Sequence, residues 1–101
     1  MDRSIEFYLY HVDHFQDSFG QWKEEITKKR VYGQAGSITR DEFFAAGQNG
    51  LKPDLMVTMF AYDYADERDC EIDDIPYTIY RTYRKRDDTI ELYLERRAGD
   101  A

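Results

Sequence analysis

The sequence predicts a mainly β fold, a small antiparallel β-barrel of five or six strands with one short helix in a long loop between strands two and three. Three observations carry this. Residues 4–12 alternate apolar Ile5, Phe7 and Leu9 with Glu6, Tyr8 and Tyr10, the period of a strand with one buried face. Residues 54–62 are apolar on both alternating sets, as in a strand covered on two sides or facing a partner. Residues 75–97 read as two strands rich in β-branched and aromatic residues, folded on the polar turn Lys85-Arg86-Asp87-Asp88. Closing such strands on one another leaves the fewest bare edges, which favours a barrel over an open sheet.

The elements follow in order. After the first strand, the polar segment 13–20, with Asp17, Ser18 and Gly20, breaks the alternation. Residues 22–39 then read as a long second strand, bent or bulged near Gly33 and Gly36, where missing side chains lower strand propensity. Thr39-Arg40-Asp41-Glu42 has the form of a capping box, which starts a helix whose body is Phe43 to Ala46. Gly47, Gly50 and Pro53 end that helix after about two turns. Acidic residues 63–69 read as a solvated loop, Cys70-Glu71-Ile72 as a brief strand, and Asp73-Asp74 as the turn into the C-terminal pair.

Within that pair, setting Arg84 opposite Thr89 places Ile79 against Leu94, Tyr83 against Ile90 and Arg81 against Leu92 on the apolar face. Tyr80 then meets Tyr93, and Thr82 meets Glu91, on the other. An arginine on the apolar face needs a carboxylate or backbone carbonyls, so Arg81 is read first as a structural knot and second as an interface contact. Tyr8, Tyr10, Tyr80 and Tyr93 form a tyrosine-rich outer set, suited to cross-strand pairing or to an interface. The tail at residues 98–101 reads as frayed.

With 101 residues the chain makes one domain, 1–101. Nine tyrosines and six phenylalanines favour folding over disorder. A formal charge of −7, from 21 acids against 14 bases, repels phosphate backbones and anionic membranes at long range, and no apolar run approaches a bilayer span. The single Cys70 excludes an internal disulfide and points to a reducing compartment.

Motifs for chemistry are sparse. His11-x-x-His14 puts its imidazoles on opposite faces of a strand, which suits a solvated strand end better than a metal site. Asp63, Asp66, Glu67 and Asp69 lack calcium-loop spacing. No serine lies in a nucleophile elbow, Cys70 has no nearby histidine, and the Gly-x-x-Gly pairs are not phosphate loops. No catalytic group, metal or cofactor is expected.

Val31-Tyr32-Gly33, the run from Arg40 and Glu42-Phe43-Phe44-Ala45-Ala46-Gly47-Gln48 to Gly50-Leu51-Lys52-Pro53, and the endings Ile79-Tyr80-Arg81-Thr82-Tyr83 and Glu91-Leu92-Tyr93 with Glu95-Arg96, together resemble the head-tail joining proteins of tailed bacteriophages and prophages. The resemblance to these head-closure, or stopper, proteins covers nearly the whole chain. The resemblance implies a small barrel with a helix, ringed below a portal and adaptor, closing the DNA channel after packaging and docking the tail. It implies as partners other copies in a homo-oligomeric ring, the portal and adaptor ring, a tail-completion protein, and passing double-stranded DNA without specific binding. The location implied is the virion, after synthesis in the bacterial cytoplasm, with no membrane contact. It further implies that residues 37–53 reach into the channel, with Arg40, Glu42, Phe43, Phe44, Gln48 and Asn49 as the channel loop and Tyr8, Tyr10, Tyr80, Arg81 and Tyr93 at interfaces. The alternatives are a tail-completion protein, a small barrel binding single-stranded nucleic acid, which would need a positive groove, and a small enzyme, for which no constellation is present.

Overall fold

The computed structural model describes residues 3–97, so the expected frayed tail lies outside the described residues. The chain runs β1 (Ser4–Gln16), β2 (Trp22–Gly36), α1 (Arg40–Gly47), β3 (Pro53–Phe60), a single 3-10 turn (Ala61–Asp63), β4 (Asp69–Ile72), β5 (Ile75–Arg84) and β6 (Thr89–Arg96). The strands close into an antiparallel barrel in the order β1-β2-β3-β6-β5-β4, with the helix between β2 and β3.

Inward positions supply the core. Phe7 and Leu9 of β1, Val31 of β2, Val57 and Met59 of β3, Cys70 and Ile72 of β4, Tyr77 and Ile79 of β5, and Ile90, Leu92 and Leu94 of β6 are all buried and in one cluster. Full burial of each large aliphatic or aromatic side chain contributes roughly 1.5–3 kcal/mol. The aspartates at the turns match the local backbone. Asp73 and Asp74 both take positive φ, 52° and 65°, the pattern of a two-residue hairpin turn of the type favoured between twisted strands. Asp88, at φ 65°, occupies the left-handed position of the β5–β6 loop, where the Lys85 amide donates to the Thr89 carbonyl at 2.9 Å.

That loop changes the expected register. With Asp88 left-handed, Arg86-Asp87-Asp88 acts as a three-residue loop, and Arg84 falls opposite Ile90 rather than Thr89. Tyr83 then faces Glu91 and is exposed, and Arg81 faces Tyr93 rather than Leu92, so neither lies on the apolar face. A β-bulge at Tyr80 restores the frame, and Ile79 meets Leu94 as the sequence predicts.

Two further expectations are corrected. The β1–β2 ladder runs without interruption from Ser4↔Gln34 to Gln16↔Trp22, and the β2–β3 ladder from Gly33↔Met59 to Gly36↔Met56, so there is no bulge at Gly33 or Gly36. Glycine is needed at 33 for another reason: a Cβ there would lie 2.6 Å from the Thr58 carbonyl oxygen and 3.0 Å from Val57 Cγ1, because β3 crosses closely. Nor does the first strand stop at Val12. It continues to Gln16, and Asp17 closes a tight loop by accepting from the amides of Phe19 and Gln21, both at 2.9 Å, with Gly20 at φ 81°.

The consequence is a two-stranded arm. β1 pairs with β4 only at residues 8–10, and β2 pairs with β3 only at residues 33–36, so the rest of the β1–β2 hairpin projects beyond the barrel. The described molecule measures 51 × 30 × 26 Å. On the arm Phe19 is 88% exposed, Trp22 72% and Ile26 64%, with Val12 and Phe15 also open to solvent.

Candidate functional site

The most developed polar cluster joins the helix to the barrel wall. Thr39 Oγ1 accepts from the Glu42 amide at 3.2 Å, which starts α1 as the capping box predicts. Glu42's carboxylate does not turn back to the cap, however. It reaches across to β5, where Tyr80 Oη donates to Oε2 at 2.9 Å and the Arg81 guanidinium pairs with both oxygens. The bulge makes this possible, because it turns two consecutive side chains, Tyr80 and Arg81, to the same outer surface. Tyr93 completes the group: the guanidinium carbon lies 4.1 Å from its ring centroid, and the Tyr80 and Tyr93 rings are 6.4 Å apart.

The charges are mutually adjusted. The Arg81 guanidinium holds the Glu42 carboxyl below the usual carboxylate range, and Glu42 raises Arg81 in return. Removal from water pushes the Tyr80 phenol up, reinforced by its hydrogen bond to Glu42. A cleft of about 400 Å³ lies beneath the helix, lined by Glu42, Ala45, Ala46, Asn49, Leu51, Tyr80 and Arg81. Arg81 finds a carboxylate in Glu42, but on the half-open outer surface rather than on the apolar face where the sequence reading set it.

Other members of the expected channel loop point elsewhere. Phe43 and Phe44 pack edge to face on each other, centroids 6.1 Å apart, and both are exposed; Ala46 is the helix residue that is buried. Arg40 and Gln48 are exposed, and Asn49 Nδ2 donates to the Ala45 carbonyl at 3.4 Å. Tyr8 and Tyr10 are half-buried on a separate part of the outer surface, bridged by Lys28. Its Nζ lies 6.0 and 5.8 Å from the two ring centroids and 2.9 Å from Glu71 Oε1. The expected tyrosine set therefore divides into Tyr80–Tyr93 under the helix and Tyr8–Tyr10 at the root of the arm.

A second cleft, of about 480 Å³, lies between the arm and the acidic loop, lined by His11, His14, Glu24, Glu67 and neighbours. Glu67 is 5% exposed, which corrects the reading of residues 63–69 as wholly solvated. Its Oε1 accepts from the Ala65 amide at 2.5 Å; its Oε2 makes no aligned hydrogen bond but sits 3.2 Å from Lys29 Nζ, its charge partner, and 3.8 Å from His11 Nδ1. Among the described residues no group of three or more His, Cys, Asp or Glu could hold a metal ion. Cys70 is fully buried in β4, and burial pushes its thiol up to about 12.

Sequence reasoning missed the arm and the buried Glu67. The arm had only a faint signal: Phe15 lies within the polar stretch after the first strand, and Ile26 and Trp22 stand opposite Val12 and Gln16 across the turn. Glu67 had none, because a carboxylate in an acidic loop carries no mark of burial. Comparison with family models, curated proteins and solved structures finds no match to this chain.

Proposed function

We propose that this chain is a non-enzymatic head-tail connector component of a tailed phage or prophage, a ring-forming head-closure protein that blocks the DNA channel after packaging and presents a surface to the tail. One observation carries the reading: the separate stretches on which the resemblance rests converge on a single feature. Glu42 comes from the helix run, Tyr80 and Arg81 from the Ile79–Tyr83 run, and Tyr93 from the Glu91–Arg96 run, and they form one clamp. The clamp sets a helix bearing exposed Phe43 and Phe44 against a closed barrel, the architecture that the resemblance implies.

The physics supports the role. A ring subunit needs unlike lateral surfaces. The helix with its bare phenylalanines and the Tyr8–Tyr10 surface running into the arm are two such faces. A net charge of −7 gives DNA little to adhere to as it passes, since each lysine or arginine contact with phosphate would add affinity by counterion release. The helix is the element to place at the axis, because aromatic side chains on a firmly held base can meet their counterparts across a channel.

The test uses DNA-filled heads that lack tails. Added parent protein is expected to protect the packaged DNA from nuclease. A Phe43→Ser, Phe44→Ser double variant is expected to bind the heads and leave the DNA accessible. If the parent neither binds heads nor protects DNA, the head-closure reading is wrong; if the double variant protects as well as the parent, the helix is not the closing element.

A further inference from the structure

The arm leaves one edge of β2 open. From residue 22 to residue 32 no strand of the described residues lies on the side of β2 away from β1, because β3 joins only at Gly33. Among the described residues, none of the backbone hydrogen bonds between elements involves this edge. Such an edge is a template for another strand. Its side chains have an unusual order: Glu24 and Glu25 precede Thr27, and Lys28, Lys29 and Arg30 follow it. Glu24, Glu25 and Arg30 are exposed and take no part in the ion pairs among the described residues. Glu25 also stands directly opposite Asp13 across the arm, an unfavourable like-charge pairing.

We propose that the open edge of β2 pairs with the same edge of a second copy, antiparallel and two-fold symmetric about Thr27, to give a continuous sheet β1-β2-β2-β1 across a dimer. In this register Glu24 faces the partner's Arg30, Glu25 the partner's Lys29, and Trp22 the partner's Tyr32, and each pairing occurs twice. Facing residues of antiparallel strands share a side of the sheet, so the outer surface with Trp22 and Ile26 stays continuous. The charges select this register. Centring on Ile26 sets Lys23 against the partner's Lys29, and centring on Lys28 sets Glu24 against the partner's Tyr32 and Glu25 against the partner's Val31. A generic strand meets uncompensated charge, whereas a second copy meets its complement. Backbone pairing supplies the attraction and the charges supply the choice of partner.

This pairing is a property of the free chain and stands apart from the head-closure reading. A two-fold contact closes on itself, so a ring built from this chain would require the pair to open.

Sedimentation or light scattering of the intact chain is expected to show a dimer, with emission from the sole tryptophan, Trp22, shifting to shorter wavelength as the dimer forms. Glu24→Arg and Arg30→Glu each set like charges together twice, and each alone is expected to weaken association by at least about tenfold. Mixing the two variants puts opposite charges back at both contacts, position 24 of each chain facing position 30 of the other, so the mixture is expected to form a heterodimer. The proposal is overturned if the parent is a monomer at its highest soluble concentration. It is equally overturned if either single variant, with parent-like circular dichroism, dimerises as the parent does, or if the mixture stays monomeric.

Discussion

At the scale of single residues, Glu42 sits in the part of the structure where most interactions meet. It begins the helix through its amide, ends on β5 through its carboxylate, and is the only acid within reach of both Tyr80 and Arg81 among the described contacts. Glu42→Ala should therefore cost about 1–2 kcal/mol, since hydrogen bonds to charged groups exceed neutral ones while the half-exposed Arg81 is partly screened. Thermal melting should show this as a drop of roughly 5–15 °C for a domain of this size. The pH dependence has a definite sign. Arg81 depresses the Glu42 pKa in the folded state, so the clamp's contribution is fully present above the ordinary carboxylate range and disappears as pH falls through the lowered value. Acid titration of Glu42→Gln should show a smaller loss of stability over that window than the parent; equal losses would remove Glu42 from the account.

At the scale of elements, the turns decide what the strands can do. Asp73 and Asp74 hold left-handed backbone that non-glycine residues adopt at a cost. Replacing them by Asn-Gly should stabilise the β4–β5 hairpin by about 1 kcal/mol, seen as a higher melting temperature with unchanged circular dichroism. Turns also mark where sequence was readable. Alternation together with β-branched and aromatic content located each strand, though not the outer half of β1, and the Thr39 cap and the glycines bounded the helix within a residue or two. Registers were less accessible: aspartate tolerates left-handed backbone, but which of Asp87 and Asp88 would adopt it, and that Tyr80 would bulge, is not marked in the sequence. The sequence asked for a carboxylate or backbone carbonyls at Arg81 because it set that residue on the apolar face. The reason given was not the one that operates: the carboxylate is there, but Arg81 stands on the outer surface. Its partner, thirty-nine positions earlier in the chain, could be known only once the helix was folded against the wall.

At the scale of the whole molecule, a barrel with every strand paired is joined to a ribbon with none of that protection. A two-stranded ribbon is marginal by itself, so the arm depends on the barrel at its root, where Lys28 ties it to Glu71 and Lys29 to Glu67. In the proposed pairing of two copies, stability and association would rest on different ends of the same two strands.

The bulge at Tyr80 also bears on how this chain can vary in length. Ile79 already pairs with Leu94, and Arg81 with Tyr93, which are adjacent positions on β6, so Tyr80 is an extra residue with no partner of its own. Across the other edge, β4 pairs with β5 only up to Thr78, and the Ile79 amide closes onto Arg68. Position 80 is therefore a natural insertion point: deleting this one codon leaves both halves of the hairpin in frame, whereas deleting a neighbouring inward residue such as Ile79 removes a core side chain. A variant lacking Tyr80 should fold into the same barrel, with its helix released, and resist proteolysis everywhere except near residues 37–53. Global unfolding of that variant would mean that the bulge is required by the barrel itself.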